Sequence, residues 1–215
     1  MTIRVLIADD QEMVRTGFRM IVDAQEDMEV VADVADGVEA VRRARELRPD
    51  VCLLDIRMPG LDGLEVTKQL VDESAEPLKV VVVTTFDLDE YVHTALRNGA
   101  SGFLLKDAGP ALLLEAVRAA ERGDALVSPQ ITIRLLRHFE AEPATAEQPT
   151  EPLTARESDV TRECARGLTN TEIGAELYLS LSTVKTHLAS VQNKIGARNR
   201  VEIAAWAWRS GLMSD

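Results

Sequence analysis

The sequence lacks any long hydrophobic run and any cluster of cysteines. No apolar stretch approaches the roughly 18 residues that a membrane-spanning helix requires, and no charged-then-apolar leader opens the chain. Its two cysteines, Cys52 and Cys164, lie far apart, which favours buried reduced thiols over a disulfide or a metal site. These absences argue against membrane-spanning and disulfide-stabilised classes and predict a cytoplasmic globular protein.

Positive charge is also scarce, but only in one part of the chain. The net charge is −12. Residues 1–150 contain 28 acids and 16 Lys or Arg, whereas residues 151–215 contain 8 of each. A strongly acidic protein is a poor nonspecific binder of nucleic acid, because the two polyanions repel each other. Since the acidity is confined to the first part, the neutral tail remains compatible with a nucleic-acid role.

Short apolar runs alternate with helical patterns over residues 1–125. The runs lie at residues 3–8, around Val30 and Val31, and at residues 51–54, 79–83 and 102–105. Strands that alternate with helices of about ten to fifteen residues are typical of βαβ units and a parallel sheet. Five such units predict an α/β doubly wound sheet in the strand order 2-1-3-4-5.

Polar residues follow the predicted strands where each one ends. Asp9 and Asp10 follow the first strand, Asp55 the third, Thr84 the fourth and Lys106 the fifth. The predicted order places the first strand beside the third, so these groups should converge at the carboxyl edge of the sheet, where ligands bind in open α/β folds. Taken singly, Asp9 and Asp10 could merely cap a helix, and Thr84 could be an ordinary strand-end hydroxyl. Their convergence favours a functional pocket.

Three neighbouring carboxylates cannot all stay ionised without a cation, because like charges raise one another's pKa. Mg²⁺ binds through carboxylate oxygens together with water and phosphate oxygens, so the pocket is predicted to hold Mg²⁺ and to admit a phosphoryl group. Asp55 could then act as a nucleophile that forms an aspartyl phosphate. Lys106 would neutralise one phosphoryl oxygen, and the Thr84 hydroxyl would donate a hydrogen bond to another.

The composition changes after residue 125. Residues 126–152 are predicted to contain a helix at residues 131–139 and then a flexible linker with Pro143, Pro149 and Pro152. Residues 153–215 follow a purely helical pattern, and Thr154 with Glu157 and Thr169 with Glu172 fit two capping boxes. The sequence therefore predicts a first domain at residues 1–125 and a small all-α domain at residues 153–215.

The first domain resembles the receiver of two-component response regulators of the NarL/FixJ class, and with the tail the resemblance covers nearly the whole chain. The matching residues are Asp9-Asp10, Asp55 with Met58-Pro59-Gly60, Thr84, and residues 99–106. The resemblance implies that Asp55 takes phosphate from the phosphohistidine of a sensor kinase. It also implies that Asp10, Asp55 and the Arg57 carbonyl bind Mg²⁺, with Asp9 nearby or acting through water.

The same resemblance gives Phe103 the role of a rotamer switch, which turns inward as Thr84 moves towards the phosphoryl group. The alternative is that Phe103 is a plain core residue.

The tail resembles a LuxR-type helix-turn-helix in residues 153–157, 167–173 and 182–187. Its third helix has an apolar stripe, predicted to face the core, at Val184, Leu188, Val191 and Ile195. The opposite face is polar or small and could enter a major groove. The predicted DNA-binding residues are Thr183, Lys185, Thr186, His187, Ala189 and Lys194. By the same resemblance, Lys185, Thr186 and Ala189 face base edges. His187 and Lys194 are expected to serve phosphates or packing.

A neutral tail can neutralise few phosphates, so one copy should bind DNA weakly, and two copies on adjacent half-sites should add their contacts. We therefore expect phosphorylation to produce a homodimer that pairs two tails on promoter DNA. The fourth helix, with Val201, Ile203 and Trp206, is either the tail-to-tail contact or part of the small domain's core.

Two other functional classes compete with a phosphorylation-gated transcription regulator. Phosphatases with an aspartate nucleophile usually carry a second acid two residues later, where this chain has Arg57, so the chain is not predicted to be an enzyme with turnover. An interaction module with a vestigial pocket is disfavoured by the intact set of pocket residues.

Overall fold

The computed structural model describes residues 2–72, 78–85, 89–127 and 149–213. Close packing divides the chain into two units. The first runs to Glu121 and resumes at Ala125, and the second contains Arg122–Asp124 and the C-terminal residues. The helix predicted at residues 131–139 and most of the predicted linker lie outside the described residues.

The first unit is built on a parallel sheet. Its strands are β1 (Ile3–Ala8), β2 (Met28–Val34), β3 (Val51–Leu54), β4 (Lys79–Thr84), β5 (Gly102–Leu105) and β6 (Leu126–Val127). The order is β2-β1-β3-β4-β5-β6, and every neighbouring pair is parallel. The predicted order of the five main strands is confirmed. The prediction missed β6, a two-residue strand at the edge beside β5, because so short a run has no readable periodicity.

The helices of the first unit are α1 (Glu12–Asp23), α2 (Gly37–Leu47), α3 (Gly63–Asp72), α4 (Asp89–Arg97) and α5 (Pro110–Arg122). All four residues of β3 are buried, as expected for a central strand covered on both faces. Side chains of the sheet pack against α1 and α5 in one apolar cluster, which includes Leu53, Leu104 and Val117. This core holds the strand ends in fixed positions.

The second unit contains α6 (Ala155–Ala165), α7 (Asn170–Leu177), α8 (Leu181–Ile195) and α9 (Arg200–Arg209). Both predicted capping boxes are present, with Thr154 and Glu157 starting α6 and Thr169 and Glu172 starting α7. The predicted stripe of α8 faces the core: Val184, Leu188 and Val191 are buried, and Ile195 packs against them.

Both cysteines are buried free thiols, as predicted. Burial raises the pKa of Cys52 to about 12, so this thiol stays protonated and unreactive at neutral pH. Within the described ranges, no helix is both long enough and apolar enough to cross a membrane.

Candidate functional site

The strand register brings the predicted acids together. Ala8 at the end of β1 pairs with Leu54 at the end of β3, so Asp9 and Asp55 leave adjacent strands at the same level. The Asp55 N–H donates to the Ala8 carbonyl over 2.8 Å, which fixes the two backbones side by side. The carboxylate oxygens of Asp9, Asp10 and Asp55 lie within 4.8 Å of one another. The predicted convergence is therefore present in the structure.

Lys106 reaches this carboxylate cluster from the end of β5. Its Nζ lies 2.6 Å from Asp9 Oδ2 and 3.2 Å from Asp55 Oδ2, and its side chain is only 8% exposed. Asp9 and Asp55 are themselves almost fully buried, whereas Asp10 is exposed at the mouth of the pocket. One ammonium thus faces two buried carboxylates, an arrangement in which the negative charge is only partly balanced.

Hydrogen bonds orient the two buried carboxylates. Asp9 Oδ1 accepts the Gln11 N–H, and Asp55 Oδ1 accepts the Ile56 N–H. The N–H that Asp9 accepts belongs to Gln11, the residue before the first residue of α1. This hydrogen bond therefore orients the Asp9 carboxylate in the pocket and does not cap an N–H of the first helical turn. Burial raises the pKa of Asp9, and the contacts with Lys106 and the Gln11 N–H partly oppose that rise.

The donor set fits a hard divalent cation. Mg²⁺ prefers oxygen ligands and is commonly held by one or two carboxylates, and here three carboxylates of two neighbouring strand ends offer oxygens within one small space. A cation would also offset the charge that Lys106 leaves unbalanced. The residues present are therefore suited to Mg²⁺.

The remaining predicted pocket residues lie on the adjoining strand ends. Thr84 is fully buried at the end of β4, and the Lys106 N–H donates to its carbonyl over 2.9 Å. Phe103 in β5 is also fully buried, so its ring points into the core in this structure. Arg57 is exposed, and its guanidinium contacts the Tyr91 hydroxyl of α4 over 3.4 Å. Its carbonyl as a metal ligand stays a prediction.

The face of α8 opposite the core stripe is open. Exposed residues follow one another along it: Ser182, Lys185, Thr186, Ala189 and Asn193. Thr183 and His187 are half-buried at its border. The Ser180 side chain caps the helix by accepting the Thr183 N–H. This exposed, polar or small face is the surface that the sequence predicts to enter a major groove.

Lys194 lies elsewhere on α8. Its Nζ contacts Glu157 Oε2 over 2.8 Å, and its side chain is 16% exposed. Ser190 also donates to Glu157, over 2.6 Å. The capping glutamate of α6 is thus held by two residues of α8. For Lys194, the ion pair favours the packing alternative over a phosphate contact, and a DNA contact stays a prediction.

Sequence reasoning missed this network, although it identified Glu157 as a capping residue. The partners Ser190 and Lys194 lie in another helix, and their positions in the sequence carry no signal of the contact. Three hydrogen bonds to the carboxylate, from Lys194, Ser190 and the Thr154 N–H, lower the pKa of Glu157 to about 2.

The fourth helix of the tail, α9, has two of the three residues in question inside the fold. Ile203 and Trp206 are buried, so they belong to the core of the small unit and do not form an exposed contact. The exposed large residue of α9 is Trp208, which is 63% exposed. Val201, Ala204 and Ala205 are half-buried on the same helix.

Comparisons with known proteins agree with both units. Residues 5–118 match the response regulator receiver domain, and residues 151–207 match the luxR family of bacterial regulatory proteins. The transcriptional regulatory protein LiaR of Bacillus subtilis is 40% identical over 99% of this chain and 100% of its own length. The uncharacterized transcriptional regulatory protein YxjL of the same species is 42% identical over 98% of this chain and 97% of its own.

A solved structure covers the whole length of the chain. The crystal structure of response regulator ChrA, from a heme-sensing two-component system, is 34% identical and covers 98% of each chain with a TM-score of 0.54.

Replacing Glu157 with Gln should destabilise the second unit at neutral pH. The depressed pKa of about 2 means that the ionised carboxylate stabilises the fold fully above its unfolded pKa of 4.5, and that this contribution is lost as pH falls towards 2. We expect a loss of about 2 kcal/mol at pH 7, which shrinks as the pH is lowered below 4.5. Urea unfolding followed by tryptophan fluorescence measures it, because both tryptophans, Trp206 and Trp208, lie in this unit.

Glu172→Gln is the matched control, because Glu172 occupies the same position in an exposed capping box and makes its hydrogen bonds to Thr169. Its effect should be clearly smaller. Equal losses of unfolding free energy in the two variants would mean that the contacts of Glu157 with Ser190 and Lys194 add no stability beyond that of the capping box.

Proposed function

The chain belongs to the two-component response regulators that join a receiver domain to a LuxR-type DNA-binding domain, and on that basis we propose that phosphorylation of Asp55 controls its binding to DNA. The family is one of transcription regulators and not of classical enzymes. The observation that supports phosphorylation most directly is the pocket in which Lys106 faces Asp9 and Asp55 at 2.6 and 3.2 Å. The proposed site of action is the cytoplasm.

Asp55 is the proposed phosphoacceptor. One of its carboxylate oxygens forms a bond to phosphorus while the bond from phosphorus to the imidazole nitrogen of the kinase's phosphohistidine breaks, and that nitrogen keeps the electron pair. The Ile56 N–H holds one oxygen of the carboxylate in place. Lys106 neutralises charge on the arriving phosphoryl group, and the Thr84 hydroxyl donates to one of its oxygens. Rate acceleration of this kind depends on positioning and charge, and it needs no general base.

Asp9, Asp10, Asp55 and the Arg57 carbonyl are the proposed holders of Mg²⁺. When bound, the ion supplies positive charge that offsets the carboxylates and the phosphoryl oxygens. Lys106 alone leaves the pocket negative, and such a pocket repels a phosphoryl group. Asp9, whose pKa is raised by burial, would be held in its ionised form by the same positive charge.

The proposed DNA interface is the open face of α8. Lys185, Thr186 and Ala189 are exposed there, and their proposed role is to contact base edges. Ala189 offers only an apolar contact, suited to a thymine methyl group. Thr183 lies at the first turn of α8, where hydroxyls and backbone N–H groups contact phosphates. His187 is half-buried, and its proposed role is a phosphate contact or packing.

A dimer is the proposed DNA-binding form, and α9 supplies the contact between two tails. Residues 151–215 are neutral, so one copy gains little from phosphate neutralisation. Since Ile203 and Trp206 are buried, the pairing surface that remains on α9 is Trp208 with the half-buried side chains of Val201 and Ala205. We infer that phosphorylation promotes dimerisation of the receivers and thereby brings two such tails together.

Asp55→Asn should abolish labelling by acetyl phosphate in the presence of Mg²⁺ and should abolish phosphorylation-dependent dimerisation. The change keeps the size of the side chain and removes the nucleophile. Intact-protein mass spectrometry and analytical ultracentrifugation give the two readouts. The control is Asp62→Asn, an exposed acid of the same loop whose cap to the Glu65 N–H an amide oxygen can replace. Labelling of Asp55→Asn at the wild-type level would contradict the proposed acceptor, and continuous phosphate release by wild type would indicate a phosphatase.

Lys185→Ala should weaken specific DNA binding by roughly tenfold and relax the preference at one base position, since a good base contact contributes about 1–3 kcal/mol of discrimination. Selection of genomic fragments by the phosphorylated protein first defines the site, and fluorescence anisotropy then measures affinity at several salt concentrations. Lys68→Ala is the matched control, because it removes the same charge from an exposed position of α3 in the first unit. A uniform loss over all sequences would show that Lys185 contacts phosphate and reads no base.

Trp208→Ala should weaken dimerisation on DNA by about tenfold or more, because a large aromatic side chain at the centre of an interface commonly contributes at least 2 kcal/mol. Trp208 is largely exposed, so the fold should survive the change. Sedimentation of the phosphorylated protein with a two-site duplex measures the assembly, and binding to a single half-site serves as the control. Unchanged assembly would place the tail contact on another surface.

A further inference from the structure

The loop that follows Asp55, residues 56–62, is held from one side by the start of α2. Gly37, the first residue of α2, donates its N–H to the Pro59 carbonyl over 3.1 Å. A Cβ atom on Gly37 would lie 2.0 Å from the Leu61 carbonyl oxygen and 2.8 Å from Leu61 Cβ. Such distances are far inside van der Waals contact, so only glycine permits this approach. Glycine is required at position 37 because the Leu61 backbone leaves no room for a Cβ atom, and not because of a positive φ.

A second contact lies beside the first. Gly60 has a φ of +80°, and a Cβ placed on it would lie 3.0 Å from Val38 Cγ2 of α2. The first turn of α2 therefore touches the Asp55 loop through both Gly37 and Val38.

The start of α3 holds the loop from its other end. The Gly63 N–H donates to the Ile56 carbonyl over 2.8 Å, and a Cβ on Gly63 would lie 2.0 Å from the Asp55 carbonyl oxygen. With both ends held, the loop has few free backbone dihedrals. Pro59 has a restricted φ, and it also restricts the residue before it, Met58. The positions of Pro59 and Leu61 therefore constrain the path of the backbone at Arg57.

The turn that leads into α2 also touches the other side of the pocket. Val34, the last residue of β2, accepts the Asp9 N–H over 3.1 Å, and Asp36 caps α2 by accepting the Glu39 N–H. One short segment, residues 34–38, thus contacts the backbone of Asp9 and the loop after Asp55. The segment supplies none of the proposed metal-binding oxygens, but it contacts the backbone beside them.

We propose that residues 34–38 position the metal-binding oxygens of the pocket, with Gly37 as the positioning residue that sets the path of the Asp55 loop and hence the place of the Arg57 carbonyl. The inference rests on the proposed function, because it concerns the same Mg²⁺ and phosphoryl site. It adds a regulatory consequence. A change at the N-terminus of α2, outside the pocket, alters metal affinity without altering any metal ligand.

The test compares Gly37→Ala with Gly17→Ala in the full-length protein. Both changes add one methyl group to a glycine of a helix in the first unit. Gly17 lies in the middle of α1, and within the described residues no atom comes within 4 Å of an added Cβ. Gly17→Ala should therefore leave the free energy of unfolding of the first unit unchanged or raise it slightly. Isothermal titration with Mg²⁺ measures the affinity, and hydrogen exchange of peptides covering residues 56–62 measures the order of the loop without any metal.

Gly37→Ala should weaken Mg²⁺ binding by about tenfold or more, the range seen when residues that orient metal ligands are changed, and should speed exchange in the loop. Gly17→Ala should match wild type in both measurements. Wild-type Mg²⁺ affinity and wild-type exchange in Gly37→Ala would overturn the proposal.

Val38→Ala keeps the proposal testable if Gly37→Ala fails to fold. Val38 is 56% exposed, so its truncation removes the contact with Gly60 without creating a clash. Faster exchange in residues 56–62 with unchanged far-UV circular dichroism supports the positioning role, and unchanged exchange overturns it. If wild type binds no Mg²⁺ and accepts no phosphate, the proposed function fails, while the exchange comparison still decides whether α2 orders the loop.

Discussion

The receiver depends on one uneven balance of charge, in which a single ammonium faces two buried carboxylates. Lys106 lies 2.6 Å from Asp9 and 3.2 Å from Asp55, and Asp10 adds a third acid at the mouth of the pocket. Burying charges costs free energy unless they are paired, and the first unit meets that cost by fixing the pocket on three strand ends of a packed parallel sheet. The charge that remains unbalanced suits the pocket to a divalent cation, and in the proposed function that cation allows a phosphoryl group to approach.

The second unit also depends on a buried charge. Here the charge fixes the position of one helix against another and does not form a reactive pocket. Glu157 starts α6 and binds Ser190 and Lys194 of α8, so the helix with the open polar face is tied to the first helix of its own unit. Lys194, for which the sequence left a phosphate contact or packing open, is thereby engaged within the fold. On the open face of α8, which we propose as the DNA interface, Lys185 carries the positive charge. In the proposed function, this division lets α8 be held by its own unit while its open face stays available to DNA.

Much of the fold could be predicted because its signals are local. The parallel sheet and its main strand order followed from apolar runs alternating with helical patterns, and both capping boxes followed from a threonine and a glutamate three residues apart. The convergence of Asp9, Asp10, Asp55 and Lys106 followed from the strand order. The short strand β6 escaped prediction because two residues carry no period. Whether Trp206 packs in the core or forms an exposed contact could not be decided, since that depends on how the other helices of the second unit pack against α9.

By itself, then, the sequence determined the two-part organisation, the elements and the set of polar groups at the sheet edge. Periodicity, capping and strand ends depend on residues within a few positions of one another, so they can be read along the chain. Only the tertiary structure decided which charges are paired, as with Lys194 and Glu157, and which glycine admits a neighbouring backbone, as with Gly37 and Leu61. These contacts join residues from different elements, and their distances are set by how helices pack, which no local pattern records.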